Sequence, residues 1–187
     1  MKAVVLEKEL QLQSSRPQPH NEVQGAVIRP TLVGVCKTDL ELVKGYMGFK
    51  GVLGHEFVGV VEECSVPEWV GKRVVGEINC SPRDNIVEDP RHQADRTVLG
   101  IMGRDGVMGE RFVLPVENLL EVPADLSDEK AVFTEPLAAA YQIAEPFREL
   151  PATALVMGDG KLGTLCALAD LMLVDRFLQQ THGLDTA

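Results

Sequence analysis

A chain of 187 residues with 45% hydrophobic and 25% charged side chains has the balance of a folded domain able to bury a core. Its formal net charge of −10, from 18 basic and 28 acidic side chains, argues against a phosphate-backbone partner, so no nucleic acid is expected. No apolar run is long enough to span a membrane, no secretory signal opens the chain, and Cys36, Cys64, Cys80 and Cys166 read as cytosolic thiols, so a cytoplasmic protein with no membrane partner is expected.

Through about residue 125 the chain reads as short Val-rich strands between turn residues. These are Ala3 to Glu7, Gly25 to Val35, His55 to Glu63, Lys72 to Ile78, Glu110 to Val116 and Leu119 to Pro123. Many short strands with turn signals favour a barrel or sandwich. One helix is expected at Asp39 to Lys44, with Gly45 closing it. The polar stretch Ser81 to Arg96 reads as a long surface loop.

Helical character begins at Ser127, an N-cap followed by the acidic first turn Asp128 and Glu129. Pro136 should interrupt it and open a second helix, leaving Glu135 at the break. A strand is expected at Thr153 to Met157. The turn Gly158-Asp159-Gly160-Lys161-Leu162-Gly163 then leads into an apolar helix.

Cys36, His55, Glu56 and Glu135 are the residues that could hold a metal. Zinc takes thiolate, imidazole and carboxylate ligands, and catalytic sites leave one position open. By spacing alone the signal is weak, because 18 residues separate Cys36 from His55. A buried small thiol and a strand-end histidine bonded to backbone account equally for these types.

The local motifs carry more. Val35-Cys36-Lys37-Thr38-Asp39 and Leu53-Gly54-His55-Glu56-Phe57-Val58-Gly59, followed in order by Thr134-Glu135-Pro136-Leu137 and the glycine turn, resemble the medium-chain zinc-dependent alcohol dehydrogenases. The likeness is to the sorbitol and threonine dehydrogenase branch. The resemblance implies an α+β chain: a GroES-like β-barrel catalytic domain over 1–147, then a truncated Rossmann α/β segment over 148–187 that binds dinucleotide.

It further implies one catalytic zinc on Cys36 and His55, with Glu56 and Glu135 as carboxylates that bind directly or through water. Thr38 would relay the substrate proton, and Asp39 would orient the histidine. Lys37 reads as a solvated lysine. Gly158, Gly160 and Gly163 would bind NAD or NADP, serving the tight turn, the pyrophosphate approach and the helix packing. Asp175, 17 positions after Gly158, stands close to where a ribose-binding acid is expected.

The pattern departs from its relatives in the lobe that holds a structural zinc in most zinc-bearing members. The expected cysteine places fall on Pro82, Asn85, Glu88 and near Gln93, so no structural zinc is expected. His92 reads as a surface residue. The leading expectation is hydride transfer between a small alcohol or polyol and NAD(P), impaired in so short a chain. The alternative is a non-enzymatic zinc-binding or interaction remnant. A zinc-free reductase related to the quinone reductases conflicts with Cys36, His55 and Glu135 occurring together. The apolar faces of the last segment should either fold back on the catalytic domain or recruit another chain, which would make a homo-oligomer.

Overall fold

The computed structural model describes residues 1–20, 25–81, 90–145 and 153–170, and its two longest strands, Gly25–Val33 and Phe57–Cys64, bury consecutive residues at their start and so face apolar neighbours on both sides. In chain order the strands are β1 (Ala3–Leu6), β2 (Leu10–Gln13), β3 (Gly25–Val33), β4 (Gly51–Val52), β5 (Phe57–Cys64), β6 (Arg73–Gly76), β7 (Asn79–Cys80), β8 (Thr97–Leu99), β9 (Gly103–Arg104), β10 (Phe112–Pro115) and β11 (Leu119–Glu121). The α-helices are α1 (Lys37–Val43), α2 (Asp128–Ala131) and α3 (Thr134–Tyr141), and residues 161–170 are α-helical as well.

Met1–Glu135 make one compact unit and Pro136–Ala187 a second. The main sheet of the first unit has the order β10-β3-β5-β6-β11, with every neighbouring pair antiparallel. Smaller sheets run β2-β1-β4 and β7-β8-β9. The ladder between β3 and β5 slips between Pro30 and Leu32, as expected where a proline cannot donate to it.

Ala26, Ile28, Phe57, Val61, Phe112 and Leu114 share the central core, and the rings of Phe57 and Phe112 meet edge to face at 4.8 Å. Asn118, buried, donates from Nδ2 to the carbonyls of Glu77 (2.8 Å) and Asn79 (2.7 Å), tying β11 to the entry of β7. The six strands expected in this region are present. Strands β2, β4, β7, β8 and β9 were not anticipated. In β2 both leucines, Leu10 and Leu12, are exposed, so no buried face signals it.

Three expectations change. The first helix begins at Lys37 with Cys36 as N-cap, two residues ahead of Asp39, because the Asp39 carboxylate reaches back to accept from the Cys36 N–H. The helix at Glu135 begins at Thr134, ahead of Pro136. The first-turn N–H groups of a helix have no intrahelical acceptor, so a proline there removes nothing. The chain instead breaks at Val132 and Phe133, after α2, where Ser127 stands at the expected N-cap position but makes no side-chain capping hydrogen bond.

In the second unit, the strand expected at residues 153–157 is absent: these residues have no strand pairing among the described residues, and Leu155 (84%) and Met157 (89%) are exposed. An isolated strand leaves its ladder unpaired and gains nothing over solvated backbone. Residues 161–170 are helical, as expected, with Ala169 buried.

Tyr46 and Met47 lie exposed on a 3-10 turn, whereas Phe49 packs with Leu6, Leu42 and Leu53. His92 is exposed on the 3-10 turn Pro90–His92. Pro82, Asn85, Glu88 and Asp175 lie outside the described residues.

Candidate metal centre

Two loops and a helix start bring the metal-type side chains together. The first loop ends at Cys36, whose extended backbone (φ −82°, ψ 157°) stops β3 and starts α1. Asp39, three residues on, is 2% exposed. Its Oδ2 accepts from the Cys36 N–H (2.9 Å) and its Oδ1 from the Gly54 N–H (3.1 Å). One buried carboxylate therefore joins the cysteine loop to the histidine loop, and its charge is met by two backbone donors.

The histidine loop turns on Gly54, whose φ of +92° is strained for any side chain. A Cβ there would come within 2.7 Å of Met108 Cγ. The turn is strapped from behind: Val107 N–H donates to Gly54 O (3.0 Å) and Met108 N–H to Leu53 O (2.9 Å). His55 follows, 3% exposed, and Glu56 opens into β5. The Glu56 carboxylate crosses Gly34: a Cβ on Gly34 would lie 2.2 Å from Glu56 Oε2.

Cys36, His55 and Glu56 offer ligand atoms that all lie within 4.8 Å of one another. One thiol, one imidazole and one carboxylate are the borderline-soft set that zinc takes. The Nδ1 atom of His55 is buried and has no hydrogen-bond partner among the described residues. It faces Asp39 Oδ1 at 3.6 Å, an electrostatic contact longer than a hydrogen bond. A proton on Nδ1, drawn by Asp39, leaves Nε2 with the lone pair that a metal ion requires. The residues present thus fit a divalent ion of the zinc type.

Burial is the largest single influence on His55 and pulls its pKa down. Asp39, Glu135 and Cys36 together outweigh it and raise the pKa to about 9. Glu135 is held above the usual carboxylate range, first by burial, with Glu56, Glu77 and Asp39 adding in the same direction against the opposing pull of His55. Glu135 therefore shares the field of the site, though it does not join the three-residue cluster. Thr38 Oγ1 lies 3.6 Å from Cys36 Sγ, beside the site.

The approach of Glu135 is set by α2. Asp128 Oδ1 accepts from Arg73 NH2 (2.7 Å) and Nε (3.1 Å), and Oδ2 from Thr31 Oγ1 (2.6 Å). Thr134 Oγ1 then closes the corner on Ala131 O at 2.7 Å. Sequence reasoning missed Gly34, the strap at Val107 and Met108, and the charge of Glu77. The signal at Gly34 was a glycine immediately before Val35-Cys36, where a strand ending offers no other reason for one.

In the second unit, Gly158 has φ +114° and Gly160 has no heavy atom within 4 Å of where a Cβ would stand. A Cβ on Gly163 would fall 2.3 Å from Gly158 O. The three glycines thus differ in what they permit: a left-handed turn, an open approach, and contact of helix with turn.

Residues 22–124 match the family model described as the alcohol dehydrogenase GroES-like domain, and the chain belongs to that family. It is 33% identical over 193 residues to a glucose 1-dehydrogenase of Haloarcula marismortui, covering 91% of this chain and 52% of that protein. It is 30% identical over 160 residues to an L-threonine 3-dehydrogenase of a Marinomonas species, covering 79% and 46%.

Among solved structures it resembles an alcohol dehydrogenase of Escherichia coli (rspB) complexed with NADH, at a TM-score of 0.80 and 28% identity, covering 89% of this chain and 51% of that one. It also resembles a Haloferax mediterranei glucose dehydrogenase in complex with NADP, zinc and gluconolactone, at 0.72 and 29%, covering 88% and 52%. The chain spans about half the length of the curated relatives it matches.

Proposed function

We propose that the chain carries the zinc half of an alcohol or polyol dehydrogenase, with Cys36, His55 and Glu56 as the metal ligands. The observation that carries this is the convergence of a thiol, a buried imidazole and a carboxylate whose ligand atoms all lie within 4.8 Å of one another. Glu135 is the neighbouring carboxylate, placed to exchange with a ligand or to hold water. Family membership supports the reading, as do zinc and NADP in a related structure.

Zinc, when bound, supplies Lewis acidity that lowers the pKa of a coordinated alcohol. The chain's own groups do the rest. Asp39 holds a proton on His55 Nδ1 and fixes the ring. Cys36 and Glu56 contribute negative charge that offsets the dication. Thr38, beside Cys36, takes the substrate proton at Oγ1 and passes it outward. Glu135, with its pKa raised, stands ready to hold or release a proton within the same field.

The turn at Gly158, Gly160 and Gly163 would seat the pyrophosphate of NAD or NADP, and the cofactor's nicotinamide, when bound, would supply the hydride acceptor. The substrate is a small alcohol or polyol, the setting is cytoplasmic, and neither nucleic acid nor membrane is a partner. No helix among the described residues is long and apolar enough to cross a membrane.

A second reading, a zinc-binding module without redox activity, is favoured by one observation: residues 153–157 form no strand among the described residues. The test is zinc per chain by plasma emission, followed by turnover with NAD and NADP over a panel of alcohols and polyols. One zinc with turnover abolished by Cys36→Ala supports the enzyme. One zinc without turnover selects the module. A chain that binds no zinc overturns both.

A further inference from the structure

Behind the metal turn the first unit contains a separate cleft of about 300 Å³, at the small end of ligand pockets. Arg104, Arg111 and His20 line it together with Asp105. In a chain of net charge −10, a concavity with two guanidinium groups is out of keeping with the rest of the surface. Its acidic member is already occupied: Asp105 Oδ1 accepts from the Val52 N–H (2.8 Å) and Oδ2 from Arg16 NH2 (2.6 Å).

The arginines are only partly engaged. Arg104 donates from Nε to Thr97 Oγ1 (3.3 Å) and has no carboxylate partner among the described residues. Arg111 gives Nε to Glu62 (2.5 Å) and NH1 to Gln18 (3.4 Å). Glu62 is itself shared with Arg29, so it does not neutralise Arg111 alone. Each guanidinium has five N–H donors, which leaves both forks with donors to spare. Planar forks with donors to spare, that of Arg104 without a carboxylate partner among the described residues and that of Arg111 paired on one side with Glu62, match tetrahedral oxyanions.

The far side of the cleft wall is the strap behind His55. Gly106, beside Asp105, gives its N–H to Val52 O (2.8 Å), and a Cβ there would meet Gly54 O at 2.2 Å. The next residue, Val107, holds Gly54 O.

We propose that this cleft binds a phosphate-type oxyanion through Arg104 and Arg111, and that its occupancy is linked to metal retention through the strap at residues 105–108. The inference does not depend on which reaction the metal site performs. Phosphate binding is read on the full chain both with and without zinc, so failure of one site is separable from failure of the other.

The experiment is calorimetric titration of the 187-residue chain with inorganic phosphate and, separately, methyl phosphate, at constant ionic strength set by chloride. The expected result is saturable binding that weakens about tenfold in Arg104→Gln, since a lost charge-assisted hydrogen bond is worth roughly that factor. It should weaken further in Arg104→Gln with Arg111→Gln. The single variant breaks only the contact with Thr97, so it reports on the site even where loss of the Arg111–Glu62 pair disturbs folding.

Equal binding of both probes assigns the site to a phosphorylated compound, and phosphate alone to the free ion; either supports it. No saturable binding, or binding unchanged in Arg104→Gln, overturns the site. Zinc affinity, read by chelator competition at equilibrium, should rise severalfold in saturating phosphate, because linked sites change one another's affinity by the same factor. An unchanged zinc affinity overturns the link to the metal turn.

Discussion

Asp39 stands 3.6 Å from His55 while accepting the backbone N–H of Cys36 and of Gly54, so a single buried carboxylate faces both loops that supply ligands. Replacing it by Asn keeps one acceptor and turns an amide N–H₂ toward a backbone donor. Asp39→Asn should therefore lower zinc affinity about 10- to 100-fold, the range typical for residues that orient metal-bound histidines. It should also cost about 1–3 kcal/mol of stability through the donor left unpaired. Chelator competition and urea unfolding measure the two. Wild-type zinc affinity in a destabilised Asp39→Asn would show that Asp39 supports the loops but not the metal.

His55 yields a pH prediction whose sign is fixed by its environment. In the metal-free chain its pKa is raised from 6.5 to about 9. A group whose folded pKa is raised contributes stability that is fully present below its unfolded value and is lost as pH climbs through the folded one. The metal-free chain should therefore lose stability between about pH 6.5 and 9, while the zinc-loaded chain, whose imidazole is already deprotonated, should not lose it there. Histidine ring resonances in a pH titration give the pKa directly. A midpoint near 6.5 in the folded, metal-free chain would mean that burial cancels the surrounding carboxylates, and one below 6.5 that it outweighs them.

Gly34→Ala tests how Glu56 is placed. The new methyl would stand 2.2 Å from Glu56 Oε2, so the carboxylate must leave its present position. Zinc affinity should fall about as far as in Glu56→Gln. Stability should fall by about 1–3 kcal/mol, as for other overpacking changes. The double variant should be no worse in zinc affinity than either single one, because both act through one carboxylate. Additive losses would mean that Gly34 matters for a reason other than Glu56.

Much of this was legible in the sequence, and the gaps have physical causes. The main sheet could be read because β3, β5, β6 and β10 are rich in β-branched and aromatic residues, of which Val27, Ile28, Phe57, Val58, Val74 and Phe112 are buried. Strand β2 could not, since Leu10 and Leu12 are exposed, and β4, β7 and β9 are two residues long, too short for any period to register. Cys36, His55 and Glu56 were readable from motif and were brought together by a fold that spacing does not reveal. The role of Gly34 was not readable, because it depends on a side chain arriving from 22 positions further along the chain. The helix start at Thr134 was misjudged because proline was treated as a break, when in the first turn it fits as well as any residue.

Arg73 and Asp128 anchor the short helix that leads to Glu135. Asp128 is held below the usual carboxylate range, by Thr31 first and Arg73 with it, against a smaller opposing effect of burial. A carboxylate with a depressed folded pKa contributes stability above its unfolded value and loses it as pH falls through the folded one. Arg73→Ala should therefore destabilise the chain at neutral pH by about 1 kcal/mol, for a partly exposed pair, and by less in acid. Unfolding midpoints at pH 7 and pH 3 measure this. An equal effect at both would assign the loss to the Arg73 contact with Leu126 O rather than to the ion pair.

Gly160 and Gly163 in the second unit separate packing from ligand approach. At Gly163 a methyl would fall 2.3 Å from Gly158 O, so Gly163→Ala must push the helix at 161–170 away from the turn. At Gly160 a methyl would meet no atom within 4 Å, and its backbone is not in the left-handed region, so Gly160→Ala should leave stability unchanged within about 0.5 kcal/mol. The same open space is what a pyrophosphate would use to reach the backbone. If the turn seats a dinucleotide, Gly160→Ala weakens NAD(P) binding at least tenfold with no loss of stability, whereas Gly163→Ala reduces both. Fluorescence titration with NADH and NADPH, beside thermal unfolding, reads both quantities. Undiminished NAD(P) binding in Gly160→Ala would move the cofactor away from this turn and leave Gly160 as an ordinary helix-start residue.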